Sequence, residues 1–383
     1  MKVNKYLLEF ILFGSYMFFA MSWVGAAGFM KEIMQMAGMT SLTQASFLST
    51  ALTFAKIIGT FIAAWTIVKF GIRNAFTVAA ALMCLSIVTP LASSFEILLV
   101  SRFLMGLGGA LIIVYFNPIV YQYFEPQERA VINGLNAIAF NVGAAIMMFS
   151  SQSMVALFGG WQQTLIAISI ASLVMLVLWI IFGRIKLAGS SASTANAEQY
   201  TLLDGLKDKF NWIFALTYSG LLAFYIVLFT FYPKAGISES KQVILFGIIG
   251  AIIGIIYSRK TTRRIGVLRL SGTIQLLSAF GLSFATSPLA VSISAAVLGF
   301  FMFLPMPALV TYGQERSGMT AQKVSVTFSL FWSISYAVAT IVPTIFAKIV
   351  DSNNGDYHTA FGFICCVSAS FLLGSLFLKE HQK

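Results

Sequence analysis

Three ionisable side chains fall inside long apolar runs of this sequence: Glu9, Lys56 and Arg102. A charge at the centre of a bilayer costs roughly 2.5–3.5 kcal/mol on insertion scales, so such residues persist where they have work to do. Lys56 lies in Thr53-Phe54-Ala55-Lys56-Ile57-Ile58-Gly59. It reads either as a lysine paired or snorkelling within a bundle, or as a cationic ligand for an anionic group. Glu9 reads as an interfacial carboxylate, with proton carriage as the alternative. His358 and His381 stand at the ends of runs, and Cys84, Cys365 and Cys366 lie within runs without metal-ligand spacing. No paired acids or His/Cys clusters occur, so no catalytic centre, metal or cofactor is expected.

Aromatic residues recur at helical spacing. Tyr16 and Trp23 are seven apart, as are Tyr218, Tyr225 and Tyr232, while Trp332 and Tyr336 are four apart. Each set shares a helix face and reads as packing, as an interfacial belt, or as the wall of a binding cavity. Asn117-Pro118 and the pair Pro305 and Pro307 are expected to interrupt their helices. Asn133, Asn136 and Asn141 follow one another along one run, and Gly250-Ala251-Ile252-Ile253-Gly254 has the spacing of a close helix contact.

Elements that cross an apolar medium must position these residues. The chain has 383 residues, 58% hydrophobic and 10% charged, against about 25% charged in ordinary domains, and its mean hydropathy is +0.88. That composition excludes a cytosolic enzyme, a secreted disulfide scaffold, a disordered chain and a domain on a single anchor. Continuous apolar runs without alternation also exclude a β-barrel. Charges and turn residues divide the chain into twelve candidate spans near 6–30, 44–69, 75–94, 96–123, 131–156, 161–183, 212–233, 240–258, 267–287, 289–313, 323–349 and 358–378. The first is too long for a cleaved signal and reads as a retained helix.

A polar stretch beginning Gly189-Ser190-Ser191 separates the sixth and seventh spans. It predicts a bundle over 1–186, a cytoplasmic linker over 187–211 and a second bundle over 212–383. With the first residue inside, 18 of the 24 Lys and Arg residues fall on the cytoplasmic side, four outside and two within spans. This bias places both termini in the cytoplasm. It also accounts for the net charge of +11 without nucleic-acid binding.

Six spans, a linker and six spans resemble the major facilitator superfamily. Between the second and third spans, Lys69, Gly71 and Arg73 match basic and glycine positions of that family's loop motif, while Val68 replaces its aspartate and Ala64 its leading glycine. The stretch Arg259-Lys260-Thr261-Thr262-Arg263-Arg264-Ile265-Gly266 repeats the pattern, again without an acid. In the fourth span, Arg102-Phe103-Leu104-Met105-Gly106-Leu107-Gly108 is similar to the family's Arg-x-x-x-Gly-x-Gly. Phe124-Glu125-Pro126-Gln127-Glu128-Arg129-Ala130 and Gly160-Trp161 add further matches. The region of Pro305 and Pro307, with the eleventh span, is also similar to cyanate- and nitroimidazole-type permeases.

The resemblance implies an all-α membrane protein of two pseudo-symmetric six-helix bundles, a carrier rather than an enzyme. It makes Arg102 a helix-clamping residue with proton coupling as the rival role, and Lys69, Gly71 and Arg73 a gating loop with its latch weakened. The substrate-binding candidates are Tyr16, Trp23, Lys56, Arg102, Asn117, Asn141, Tyr218, Tyr225, Trp332 and Tyr336, and the coupling candidates are Glu9 and Arg102. Intramembrane cations favour a small anionic or zwitterionic solute: an amino acid, a carboxylate or a carboxylate siderophore. The alternative is export of a neutral or cationic amphiphile held by aromatics, and a polytopic membrane enzyme ranks below both. Expected partners are the small-molecule substrate, membrane lipid and, in a coupled cycle, a proton. A monomer in the cell inner membrane is expected. Reporter domains fused after Arg184 and after Lys383 should both report the cytoplasm; a periplasmic signal from either overturns the span count.

Overall fold

In hydrocarbon every backbone N–H and C=O must find its partner inside its own segment, which leaves helices as the solution for continuous apolar runs. The computed structural model describes residues 4–39, 42–185 and 200–380, and no strand occurs among them. The linker stretch 186–199 lies outside the described residues. Eleven helical stretches are long and apolar enough to cross a membrane. One of them, Ala51–Val88, contains Gly71 with φ 71° and ψ 152°. A backbone there is left-handed and favours glycine, so this stretch is two spans joined by a tight turn, and the described chain has twelve.

The helices are α1 Lys5–Gly28, α2 Met30–Met36, α3 Leu42–Cys84, α4 Phe95–Tyr123, α5 Pro126–Phe158, α6 Trp161–Phe182, α7 Leu202–Lys207, α8 Lys209–Thr230, α9 Ser240–Lys260, α10 Ile265–Phe284, α11 Pro288–Phe303, α12 Met306–Gln314, α13 Ala321–Ser352, α14 His358–Ser368 and α15 Ser370–Phe377. Several begin where the sequence offers a cap. Asn4 Oδ1 accepts from Tyr6 and Leu7 N–H, and Thr320 Oγ1 accepts from Lys323 N–H. The short α7 opens on a capping box between Thr201 and Asp204. Hydrogen bonds from the Thr201 hydroxyl and backbone hold the Asp204 carboxyl below its ordinary range.

The two proline sites behave differently. α4 runs unbroken through Pro118, contrary to the expected interruption. Proline removes the N–H that would reach the Val114 carbonyl, and Asn117 Nδ2 donates there at 3.4 Å and to the Ile113 carbonyl at 3.1 Å. The side chain mends the ladder. At Leu304-Pro305 the tenth span splits into α11 and α12.

The contacts form two units. The first contains α1 to α4, α5 from Ile138 onward, and α6; the second contains Glu125–Ala137 and the chain from Tyr200. Within the first, the Trp179 ring stacks on Phe76 at 3.9 Å, and its indole N–H donates to the Arg73 carbonyl at 3.1 Å. Thr66 and Tyr115 hydroxyls join α3 to α4 at 2.7 Å. Within the second, α9 lies against α11 so closely that a methyl on Gly250 would meet the Phe300 carbonyl oxygen, and one on Gly254 the Leu304 carbonyl oxygen. Lipid tails are as apolar as leucine, so such close approach supplies the association that hydrophobic burial supplies in water. Gly254→Val should therefore lower the thermal unfolding midpoint, at a cost of roughly 1–3 kcal/mol or more for overpacking. Gly362→Ala, where an added methyl meets nothing within 4 Å, should leave it unchanged or raise it. Equal midpoints for the two variants would contradict the glycine contact.

Candidate functional site

In the first unit the site is assembled around Lys56. The three glycines of α4 let its neighbours close in: side chains there would collide with Leu52 and Ala55 at Gly106, with the Ala79 carbonyl at Gly108, and with the Phe19 ring at Gly109. Phe19 is thereby held against α4, and α1 presents three aromatic rings in succession. Tyr16 and Phe19 stack with centroids 5.6 Å apart, Phe19 meets Trp23 at 5.8 Å, and Phe140 from α5 meets Trp23 edge-on at 5.5 Å. Lys56 Nζ sits 4.5 Å from the Trp23 centroid, 5.3 Å from Phe140 and 5.8 Å from Phe19, and the residue is 4% exposed.

Three ring faces hold an ammonium by their quadrupoles, each worth about 0.5–2 kcal/mol. That offsets part of the several kcal/mol lost when an ion leaves water. Arg102 is 2% exposed, and among the described residues its Nε and Nη1 have no hydrogen-bond partner. Contacts of Gly59 with Leu107 and Ala110, and of Gly106 with Leu52 and Ala55, fix the register of α3 on α4. In that register Lys56 and Arg102 differ in depth by roughly 7 Å, about five residues of helical rise. The unit thus carries two buried cations at neighbouring levels, an arrangement suited to one anion.

In the second unit the aromatics form a platform. Tyr218 on α8 stacks on Phe331 at 5.3 Å and meets Trp332 edge-on at 5.6 Å, and Trp332 stacks on Tyr336 at 5.8 Å. The Trp332 indole N–H is buried and has no acceptor among the described residues. It is a donor available to a ligand oxygen. Tyr225 lies against Phe229 at 4.7 Å and Phe303 at 5.9 Å. Tyr232 is fully buried and hydrogen-bonds Ser283, a packing role.

The structure therefore brings together Tyr16, Trp23 and Lys56, with Asn141 buried next to Phe140 in sequence, and separately Tyr218, Trp332 and Tyr336. Asn117 is engaged with backbone carbonyls, as described above. Glu9, in the second turn of α1, is buried. Lys69 lies over the rings of Trp65 and Phe70, and Arg73 Nη2 donates to the Ile180 carbonyl at the end of α6. Phe19 and Phe140 escaped the sequence reading, although Phe19 is one turn from Trp23.

A second set that the sequence did not disclose lies around the α9–α10 loop. Arg264 donates from Nε and Nη2 to the Glu315 carboxylate at 3.1 and 2.9 Å. Its own backbone N–H and that of Ile265 donate to Glu380 at 3.1 and 2.7 Å. The acid missing from this loop is supplied from 51 and 116 residues away. Arg316 pairs with Asp208 nearby. Asn133 donates to Thr311 Oγ1 at 3.0 Å and Gln314 Oε1 at 2.8 Å, and Gln314 returns a bond at 3.2 Å.

The sequence profile of the Major Facilitator Superfamily matches residues 10–340. An uncharacterized protein of Campylobacter jejuni is 27% identical over 309 residues, covering 77% of this chain and 95% of its own length. The hexuronate transporter of Bacillus subtilis is 29% identical over 250 residues, 60% of this chain and 59% of that protein. Among solved structures, the E. coli fucose:proton symporter FucP in an outward conformation gives a TM-score of 0.77 at 15% identity, covering 98% of this chain and 99% of that one. At that identity the likeness concerns the fold.

Proposed function

Because the chain belongs to the Major Facilitator Superfamily, a family of transporters, we propose that it is a secondary carrier of the cell inner membrane. In this reading it moves a small anionic or zwitterionic organic solute by alternating access, with both termini in the cytoplasm. The observation that carries the charge assignment is the burial of two cationic side chains, Lys56 and Arg102, within one unit. Arg102, at a neighbouring depth, adds two guanidinium nitrogens without partners among the described residues. Of the three solute types, amino acid, carboxylate and carboxylate siderophore, the simple carboxylate fits best. A carboxylate accepts from a compact ammonium and from the guanidinium fork alike. The hexuronate transporter of Bacillus subtilis, whose substrate is by its name an acidic sugar, supports the same class.

The second unit carries an aromatic platform of its own. Tyr218, Trp332 and Tyr336 offer ring faces and an indole donor, which suit an oxygen-bearing carbon skeleton. A neutral amphiphile would use the same platform, and this is the observation in favour of the second reading, export of an aromatic-bound amphiphile. A cationic amphiphile fits less well, since Lys56 and Arg102 repel it. Glu9 is the buried acid closest to a proton-carrying role, yet it stands in the second turn of α1, at the end of its span.

Lys56→Met should weaken binding of the carboxylate substrate by roughly 30-fold or more on folded protein, the 2–5 kcal/mol lost with one member of a buried charge pair. Lys56→Arg should restore only part of it, because the planar fork does not replace the compact ammonium. Isothermal titration of the purified variants reads both, and unchanged binding to Lys56→Met favours the amphiphile reading.

Glu9→Gln should leave counterflow of substrate down its gradient intact in proteoliposomes. Accumulation that requires a pH gradient and survives Glu9→Gln would place the proton elsewhere.

A further inference from the structure

The start of α10 and the end of the described chain enclose a groove of about 480 Å³ that the transport reading does not use. Its polar wall contains Arg263, Arg269 and Lys379, with Gly266 and the Glu380 carboxylate between them. Glu380 is already committed: it accepts from the Arg264 and Ile265 backbone N–H groups and so caps the helix. Arg263, Arg269 and Lys379 have no acid partner among the described residues. Three cations and one carboxylate leave the groove with a formal charge of +2.

The chemistry changes along α10. Residues Gly266, Arg269, Leu270, Thr273, Leu277 and Phe280 are all exposed, and their spacing of three and four places them on one face. The first two bound the charged groove, and the following positions are apolar apart from Thr273, whose hydroxyl is satisfied by the Arg269 carbonyl at 3.0 Å. From Leu270 to Phe280 the helix rises about 15 Å, half the thickness of a roughly 30 Å hydrocarbon core. On the other side of the groove, α15 exposes Leu373, Leu376 and Phe377. A cationic cleft therefore opens directly onto an apolar surface as long as one acyl chain, with helices on either side.

We infer that this groove binds an anionic phospholipid, its phosphate held by Arg263, Arg269 and Lys379 and an acyl chain lying along Leu270, Leu277 and Phe280. A soluble phosphate would satisfy the cations but leave the apolar stripe unused, and a zwitterionic lipid would bring its own cation into a cleft that already holds three. The site is separate from Lys56, which belongs to the other unit, so its occupancy does not depend on the substrate assignment.

The test uses the full chain, purified in detergent and titrated with phosphatidylglycerol, with phosphatidylcholine and pyrophosphate as comparison ligands, and binding read by native mass spectrometry. Wild type should bind phosphatidylglycerol in preference to phosphatidylcholine and should not take up pyrophosphate. The pair R263Q/R269Q should weaken phosphatidylglycerol binding by roughly thirtyfold, about fivefold per basic residue. E380Q removes the one negative charge while retaining an acceptor for the helix cap, and should strengthen binding. All three positions lie at the exposed rim, and circular dichroism confirms that each variant is folded. Equal binding of phosphatidylcholine, equal binding by R263Q/R269Q, weaker binding by E380Q, or pyrophosphate binding matching that of the lipid would each overturn the inference.

Discussion

A positive charge kept away from water sets the terms for the first unit. Lys56 could not stand in the middle of α3 without compensation, because an ion loses several kcal/mol of solvation on burial. The compensation visible in the fold is geometric. α1 must lie close enough to α4 for Phe19 to sit over Gly109, and α5 must bring Phe140 to within 5.3 Å of the ammonium. The first condition depends on Gly109, and the second on Gly143, where a methyl would meet the Met17 carbonyl oxygen. The glycine directly after the motif that identifies α4 is therefore part of the reason the cation can be housed beside it. Arg102, at the head of that motif, shares the same neighbourhood and adds donors whose acceptors the described residues do not provide.

The second constraint is the backbone. Helices in lipid cannot leave carbonyls open, and the two halves of the chain solve their proline sites differently. Asn117 closes the gap made by Pro118 with its own amide, so α4 continues unbroken from Arg102 through Pro118. At Pro305 the helix ends instead, and α12 becomes a separate short element whose end carries Gln314 and Glu315. That end gathers polar contacts from three other segments, through Asn133, Arg264 and Lys379. The continuous helix carries a buried charge, and the broken one carries a polar junction.

Much of this was legible in the residue order. Apolar run length and the glycine turn gave the spans, and Lys56 and Arg102 stood out because charge is rare in such runs. Trp23 was legible for its spacing from Tyr16. Phe19 and Phe140 were not, since 36 phenylalanines in apolar runs leave no reason to single out two. Tyr225 shares a face with Tyr218, but seven residues of rise separate them by about 10 Å, enough to place them against different neighbours. Glu315 and Glu380 could not be read as partners of the α9–α10 loop, because nothing local in sequence ties residues 51 and 116 positions apart. The expected break at Pro118 failed for a local reason, the asparagine directly before it.

The central claim is that the buried cations select a carboxylate. Calorimetry of the unaltered protein against a sugar acid and its methyl ester tests it most directly, since the two differ in one charge and little in shape. The acid should bind at least about 30-fold more tightly, the ratio expected when a buried charge pair is lost. Equal affinity for acid and ester would contradict the account and leave the aromatic platform as the basis of recognition.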